Sequence, residues 1–230
     1  MNARIQTSRI ALFSSVFLLC SCLTAQRIDD AVIDAWQSKT TLPLARVIDE
    51  TLTIADAYAI QQRTVKRVLN GAQPIGFKAG LTSAASQARF KTNEPIAGVL
   101  LRAPAETPRV LRLSDLRGLH IETEVAMRVG KPIRRTLASV AELRAHIDGI
   151  AGAVELPNLD YATPQNLRAL DIVATNVAAA YFLVGEFAAP EDRDPNDVDA
   201  TLKCDGAQVN HGQARDALGD QWQAALWLVN

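Results

Sequence analysis

The sequence predicts an α+β fold in which one main domain follows a helical N-terminal region. Apolar residues recur at helical spacing between residues 29 and 70. After residue 70 the apolar segments become short and are separated by glycine and proline, which is typical of strands and turns. The 230 residues suffice for one sizeable domain. Most strands are therefore expected in the second part of the chain.

The first 25 residues are predicted to be a secretory signal that lies outside the fold. Arg4 and Arg9 form a basic start, and residues 10–22 form an uncharged, mostly apolar run that is too short to span a membrane. Cys22 also occupies the position of the lipidated residue in a bacterial lipobox. The expected localisation is exported, either periplasmic or lipid-anchored at Cys22. A buried N-terminal helix is the alternative.

Charge and cysteine content exclude several classes of partner and site. The 24 basic and 25 acidic side chains nearly cancel, so no strong field attracts nucleic acid or a membrane surface. Cys20 and Cys22 fall in the predicted signal, which leaves Cys204 as the single cysteine of the body. An internal disulfide, a redox pair and a Cys-based zinc site are therefore excluded. The expected partners are small molecules or further copies of the chain.

Residues 26–70 are predicted to form a helical arm. A first helix is expected around residues 29–37. A second begins at Thr53, where Asp56 three residues later forms a loose capping box. It ends at Asn70, since the following glycine favours a helix C-terminus.

Residues 71–230 are predicted to form the main domain, which opens with a short strand over residues 75–81. A helix capped at Thr82 or Ser83 follows this strand. A second capping box begins at Ser139, and its helix is expected to extend far enough to turn Ile147 and Ile150 inward.

The later elements of the main domain are a strand, a hairpin and a final helix. The strand covers residues 151–156. Asp205-Gly206 predicts a two-residue hairpin turn. Asp220 precedes a helix with an apolar stripe.

Two glutamates lie on one face of a predicted strand. Apolar residues alternate along the chain from Leu119 to Val129, and Glu122 and Glu124 occupy the opposite face. Carboxylates two residues apart on a strand lie about 7 Å apart at the backbone. Their repulsion is tolerated best when a cation lies between them. On this segment alone, a cation site and a solvated strand face both remain open.

Glu155 and Lys78 extend this pattern. Glu155, on the strand over residues 151–156, supplies a third oxygen ligand, and three such ligands favour Mg²⁺ or Mn²⁺ over zinc. Lys78 lies in a glycine-flanked apolar segment and is a candidate acid/base or anchor for an anionic substrate, with a surface lysine as the alternative. For His120, which precedes the strand glutamates, the role of a hydrogen-bonded strand histidine is favoured over that of a fourth metal ligand.

These motifs resemble the 2-keto-4-pentenoate hydratase family of the fumarylacetoacetate hydrolase superfamily. The specific feature is a Glu-x-Glu pair with a third glutamate 31 positions later and Lys-x-Gly-Leu-Thr-Ser upstream. The segments that carry the resemblance are Gly76–Ser83, Glu94–Gly98, Glu122–Ala126, Glu155 and Asn176–Gly185.

The resemblance implies a fold and a set of site residues. The fold is a mixed β-sandwich roll of the fumarylacetoacetate hydrolase C-terminal type with an N-terminal helical arm. Residues 71–230 would form the catalytic domain, shortened at its C-terminus. Mg²⁺ or Mn²⁺ would be held by Glu122, Glu124 and Glu155. Lys78 would be catalytic, and the substrate contacts would be Leu81, Thr82 and Asn176.

The implied function is that of a lyase, a metal-dependent hydratase that adds water to a 2-hydroxy- or 2-oxo-pentadienoate-type acid through a metal-stabilised enolate. A homo-oligomer is also implied. A 2-oxo-3-enedioate decarboxylase shares these motifs and is the alternative. Ile96 and Ala178 replace an acidic residue and a serine that the family often carries. They keep open an alternative of another class, a catalytically degenerate exported protein that binds a ligand or assembles with partners.

Overall fold

The computed structural model describes residues 27–101, 117, 118 and 120–230. The predicted signal, with Cys20 and Cys22, lies outside these residues, and so does Leu119. The helices are α1 (27–38), α2 (Ala45–Ile48), α3 (Ile54–Leu69), α4 (Ala84–Arg89), α5 (Val140–Arg144), α6 (Ala169–Ala174) and α7 (Gln221–Val229). The strands are β1 (Gly76–Gly80), β2 (Ile96–Leu100), β3 (Glu122–Val129), β4 (Ile147–Leu156), β5 (Tyr181–Val184), β6 (Asp199–Cys204) and β7 (Ala207–Gln213).

These strands form three antiparallel sheets. Strands β1 and β2 make a two-stranded ribbon, β3, β4 and β5 make a three-stranded sheet, and β6 and β7 make a hairpin. The predicted α+β class with an N-terminal helical region is confirmed. In the part of the chain that the structure describes, none of the helices combines the length and the apolar character that crossing a membrane requires.

The N-terminal helices share an apolar core with later elements. Buried residues of α1 and α3 pack with β2, α6 and the short turn after α6. Members of this core include Ile28, Val32, Leu42, Ala57, Ile60, Ile96, Tyr161, Ile172, Val173 and Val177. The helical region therefore supports the β1–β2 ribbon directly. A domain boundary at residue 70 stays a prediction.

The ends of α3 follow the predicted signals. The Thr53 hydroxyl accepts a hydrogen bond from the Asp56 N–H, and the Asp56 carboxylate accepts one from the Thr53 N–H. This reciprocal capping box satisfies two donors that a helix start would leave unpaired. At the other end, Asn70 adopts a left-handed conformation with a φ of 46°.

A second core covers one face of the three-stranded sheet. Val125 and Met127 of β3 pack against a cluster that includes Leu143 of α5, Ile150 of β4 and Trp222 of α7. Because side chains alternate along a strand, the residues between them point to the opposite face. The predicted apolar face of β3 is confirmed at Val125 and Met127, whereas Ile121 and Val129 at the two ends are exposed. The glutamates lie on the opposite face.

The helix after Ser139 is shorter than predicted. It ends at Arg144, whereas Ile147 and Ile150 belong to β4. Both isoleucines are buried, so their spacing of three residues imitates a helix face. Strand β4 is covered on both faces near its start, and β-branched residues beside Gly149 disfavour a helix.

The hairpin is confirmed at its predicted turn. Asp205 and Gly206 connect β6 to β7 with φ angles of 50° and 83°. Positive φ at both positions matches the right-handed twist of the two strands. Cys204 is exposed at the end of β6.

The capping box predicts a specific effect on stability. Replacing Thr53 by Ala removes the hydroxyl that accepts from Asp56, and we expect the free energy of unfolding to fall by about 1 kcal/mol. Thr53→Ser keeps the hydroxyl and serves as the matched control. Urea denaturation followed by circular dichroism measures both variants. Equal losses in the two variants would contradict the assignment.

Candidate metal centre

Three glutamates converge on one face of the β3–β4–β5 sheet. Glu122 of β3 is the direct antiparallel partner of Glu155 on β4, and Glu124 lies two residues further along β3. Cross-strand partners project their side chains to the same face, and so do residues at i and i+2. A ligand oxygen from each carboxylate lies within 4.8 Å of the other two. The sheet register therefore creates the cluster that the sequence predicts.

The donor set fits a hard divalent cation. Mg²⁺ binds oxygen at about 2.1 Å in an octahedron, so opposite ligands lie about 4.2 Å apart. The three ligand oxygens lie within 4.8 Å of one another, close enough for a modest side-chain movement to place them around one ion, and the group offers only oxygen. Within the described residues, no other group of three His, Cys, Asp or Glu side chains comes close enough to share an ion. His120 is exposed, and its Nδ1 donates to the carbonyl oxygen of Gly118 at 2.9 Å.

Lys78 reaches this cluster from the other sheet. It lies on β1 opposite Gly98 of β2. Its Nζ donates to Oε1 of Glu155 at 2.5 Å and to the main-chain carbonyl of Val177 at 3.2 Å. The side chains of Lys78 and Glu155 are only 11% and 7% exposed, so water screens their interaction little. This ion pair joins the β1–β2 ribbon to the three-stranded sheet.

Negative charge is in excess at the cluster, because one ammonium faces three carboxylates. Burial raises the pKa of Glu155, Lys78 opposes that rise, and the charge of Glu122 adds to it. Glu124 keeps contact with solvent, but protein atoms crowd its carboxylate. This loss of hydration raises the pKa of Glu124 to about 7, with further contributions from the neighbouring charges. Glu124 therefore holds a proton part of the time near neutral pH, and a bound cation would displace it.

The predicted substrate contacts have unequal surroundings. Leu81 and Thr82 follow β1, and Leu81 packs against the N-terminal core. The main-chain carbonyl of Thr82 accepts from the Leu218 N–H. Asn176 is completely buried, and its amide bonds to both the N–H and the carbonyl of Val99. The Asn176 side chain thus bonds to protein backbone in this structure. Substrate contact by Leu81, Thr82 and Asn176 stays a prediction.

One contact of the site was not predicted from sequence, the Val177 carbonyl that accepts from Lys78. A main-chain carbonyl has no signature in residue type. The available signal lies in Gly80 and Gly98, because a Cβ at either position would come within 3 Å of the Val177 side chain. The glycines of the ribbon therefore mark the place where Val177 makes its close approach.

A cavity of about 730 Å³ opens beside Glu155. Among the described residues, its lining combines apolar walls with the cations Lys39, Arg67 and Arg117. The apolar residues include Trp36, Leu100, Leu156, Tyr181 and Phe182. This volume lies within the range of small-molecule sites.

The chain is similar to one protein family and to several characterised enzymes. The family described as Fumarylacetoacetate (FAA) hydrolase C-terminal matches residues 59–228. The chain is 28% identical over 206 residues to a TodF product hydratase of Pseudomonas putida, covering 87% of this chain and 75% of that protein. It is 27% identical over 216 residues to a 2-keto-4-pentenoate hydratase of Paraburkholderia xenovorans, covering 90% and 79%. A 4-oxalocrotonate decarboxylase of a Pseudomonas species is 27% identical over 204 residues, covering 88% and 77%.

Solved structures confirm the predicted fold type. The 4-oxalocrotonate decarboxylase from Pseudomonas putida G7, complexed with magnesium and adipate, aligns with a TM-score of 0.76 at 24% identity, over 96% of this chain and 81% of that chain. Its complex with calcium and acetate gives a TM-score of 0.79 at 24% identity, over 90% and 79%.

The same comparisons contradict the predicted exported, periplasmic or lipid-anchored localisation. The relatives carry the names of hydratases and of a decarboxylase, and nothing in the matches points to export or to a signal peptide. The prediction rested on a basic start and an apolar run, which are features of composition. The predicted homo-oligomer is not tested and stays a prediction.

We expect Glu124 to make the metal-free protein less stable as the pH rises. Its ordinary pKa is 4.5 and its folded-state pKa is about 7, so between these values the folded chain binds the proton more tightly than the unfolded chain. Raising the pH through this window therefore weakens the folded state. Glu124→Gln removes this titrating group, and its melting temperature should fall less than that of the parent.

Thermal unfolding in a metal chelator at pH 5 and pH 8 measures this difference, with Glu186→Gln, at an exposed glutamate, as the matched control. Identical pH dependence in the parent and in Glu124→Gln would contradict the raised pKa.

Proposed function

Because this chain belongs to the fumarylacetoacetate hydrolase C-terminal family, which it matches over residues 59–228, we propose that it is a metal-dependent lyase. Its reaction adds water to a small 2-hydroxy- or 2-oxo-pentadienoate-type acid. The convergence of the Glu122, Glu124 and Glu155 carboxylates with Lys78 carries this proposal. Relatives named 2-keto-4-pentenoate hydratase and 2-oxo-hept-4-ene-1,7-dioate hydratase support the reaction and the class of acid.

The three glutamates hold Mg²⁺ or Mn²⁺ in this proposal. All their donors are oxygen, and the excess negative charge is what a divalent cation neutralises. The similar solved structures carry magnesium or calcium, which supports the same assignment. A divalent cation bound here supplies Lewis-acid polarisation to the carboxylate and C2 oxygen of a 2-oxo acid.

Lys78 carries the protein's own part of the chemistry. Its ammonium can donate a proton to a substrate carbon, and the resulting neutral amine can take up the proton that the enol hydroxyl releases as the dienol becomes a ketone. The ammonium also stabilises negative charge that develops nearby. Both effects are stronger because little water reaches the Lys78 side chain. Glu155 fixes the ammonium beside the carboxylate cluster.

A 2-oxo-3-enedioate decarboxylase is the second candidate. A relative named 4-oxalocrotonate decarboxylase is 27% identical to this chain, which supports decarboxylation as the alternative reaction. Both reactions develop negative charge on the same oxygen of the acid, so the site chemistry described above serves either one.

Incubation of the purified protein with Mg²⁺ and a panel of dienoates separates these functions. Loss of diene absorbance without release of CO₂ is expected for hydration. Release of CO₂ would assign decarboxylation. A chain that binds Mg²⁺ but turns over no member of the panel would contradict the lyase proposal.

We expect Lys78→Met to lower kcat by about 100-fold or more, because a positioned acid/base group contributes 10²–10⁴-fold. The affinity for Mg²⁺ should not weaken, since removing a positive charge leaves the carboxylates more attractive to a cation. Steady-state kinetics at saturating Mg²⁺ and titration calorimetry measure the two quantities. Lys66→Met, at an exposed lysine of α3, is the matched control. Equal kcat values in the two variants would exclude a catalytic role for Lys78.

A further inference from the structure

We propose that the buried turn Asn176–Ala178 is a positioning element for Lys78. The Asn176 amide fixes this turn onto β2, and the Val177 carbonyl then holds the Lys78 ammonium in place. Asn176 is accordingly a positioning residue and makes no substrate contact. This inference rests on the proposed function in one respect, the catalytic role of Lys78.

The backbone of this turn is left-handed at three successive residues. The φ angles of Asn176, Val177 and Ala178 are 59°, 52° and 54°. This conformation is unfavourable for any residue other than glycine, and a β-branched valine is an especially rare occupant. All three residues are buried. A strained conformation of this kind persists only where the surrounding contacts determine it fully, and such conformations cluster at functional sites.

The Asn176 amide makes two hydrogen bonds to one residue of β2. The Asn176 Oδ1 accepts from the Val99 N–H at 2.8 Å, and its Nδ2 donates to the Val99 carbonyl at 2.9 Å. Side chains of α3 bond to the same edge of β2 two residues earlier, at Ala97. The Ala97 N–H donates to the Tyr58 hydroxyl, and the Ala97 carbonyl accepts from the Gln61 amide. This edge of β2 is thus bonded to side chains where a neighbouring strand would otherwise pair.

The ribbon and the turn are in direct contact. A Cβ at Gly98 would lie 2.9 Å from the Val177 Cβ and 3.1 Å from the Lys78 Cγ. A Cβ at Gly80 would lie 2.8 Å from the Val177 Cγ1. The two distances to Val177 are shorter than real Cβ contacts. Glycine at positions 80 and 98 therefore allows the turn to lie against the ribbon. The Lys78 stem and the Val177 backbone are therefore held side by side, with 3.2 Å between Nζ and the carbonyl oxygen.

The Val177 carbonyl complements Glu155 as an acceptor. Glu155 belongs to the carboxylate cluster, so its charge is shared with any cation that binds there. The carbonyl is neutral and remains available to the ammonium in either condition. A flexible lysine side chain loses rotamer freedom when it is held in one place, and the hydrogen bond to the second acceptor helps to offset that loss before substrate arrives.

Lysine-specific acylation with acetic anhydride, read by mass spectrometry, tests this proposal without substrate or metal. Asn176→Ala is expected to raise the labelling rate of Lys78 about tenfold, the effect of losing roughly one hydrogen bond to a charged group. The rate at Lys66 in the same sample should not change. Asn196→Ala is the matched control, because Asn196 is also buried and also bonds through its amide, to Asp220 and to the Gln221 N–H.

A second variant disturbs the turn without removing the amide. Gly80→Ala pushes against Val177 without meeting Lys78 and should raise the labelling of Lys78 in the same way, whereas Gly76→Ala on the same ribbon meets only Leu100 at 3.4 Å and should not. With the most active dienoate, Asn176→Ala should lower kcat about tenfold and leave KM nearly unchanged.

Unchanged labelling of Lys78 in folded Asn176→Ala and Gly80→Ala would overturn the positioning role. If the parent turns over no dienoate, the proposed function fails while the labelling result still decides this inference.

Discussion

The ion pair between Lys78 and Glu155 is the interaction on which the rest of the site depends, because it lets three carboxylates fold onto neighbouring strands. Glu122 and Glu155 are direct cross-strand partners, and two like charges in such positions destabilise the strand pair. Lys78 offsets part of this repulsion and connects the ribbon to the three-stranded sheet. Breaking a buried pair by removing one partner typically costs about 3–5 kcal/mol. The remaining negative charge is left for a divalent cation.

The apolar core contacts and the carboxylate cluster lie on opposite faces of the same strands. Val125 and Met127 turn one face of β3 into the core with α5 and α7, while Glu122 and Glu124 occupy the other face. The strand alternation that buries apolar surface thus also exposes the acids. The ribbon that carries Lys78 is supported separately, since α3 and the buried turn satisfy the outer edge of β2 with side chains.

The sequence predicts those features that short-range chemistry determines. The Thr53 capping box, the apolar face of β3 at Val125 and Met127 and the Asp205-Gly206 hairpin each depend on neighbouring residues, and each is confirmed. The helix after Ser139 is wrong in length because a strand covered on both faces lacks alternation. The Asn176 amide bonds to the main chain of Val99, and the main-chain carbonyl of Val177 accepts from Lys78. Residue type does not encode which distant main-chain groups meet. Export was inferred from composition alone and is contradicted.

The most direct test of the three-glutamate metal centre is a crystal structure with Mn²⁺ and oxalate, a stable analogue of a 2-oxo acid. We expect an anomalous Mn²⁺ peak about 2.1 Å from one oxygen each of Glu122, Glu124 and Glu155, with oxalate on the side that faces Lys78. A peak away from these carboxylates, or none at saturating Mn²⁺, would contradict it.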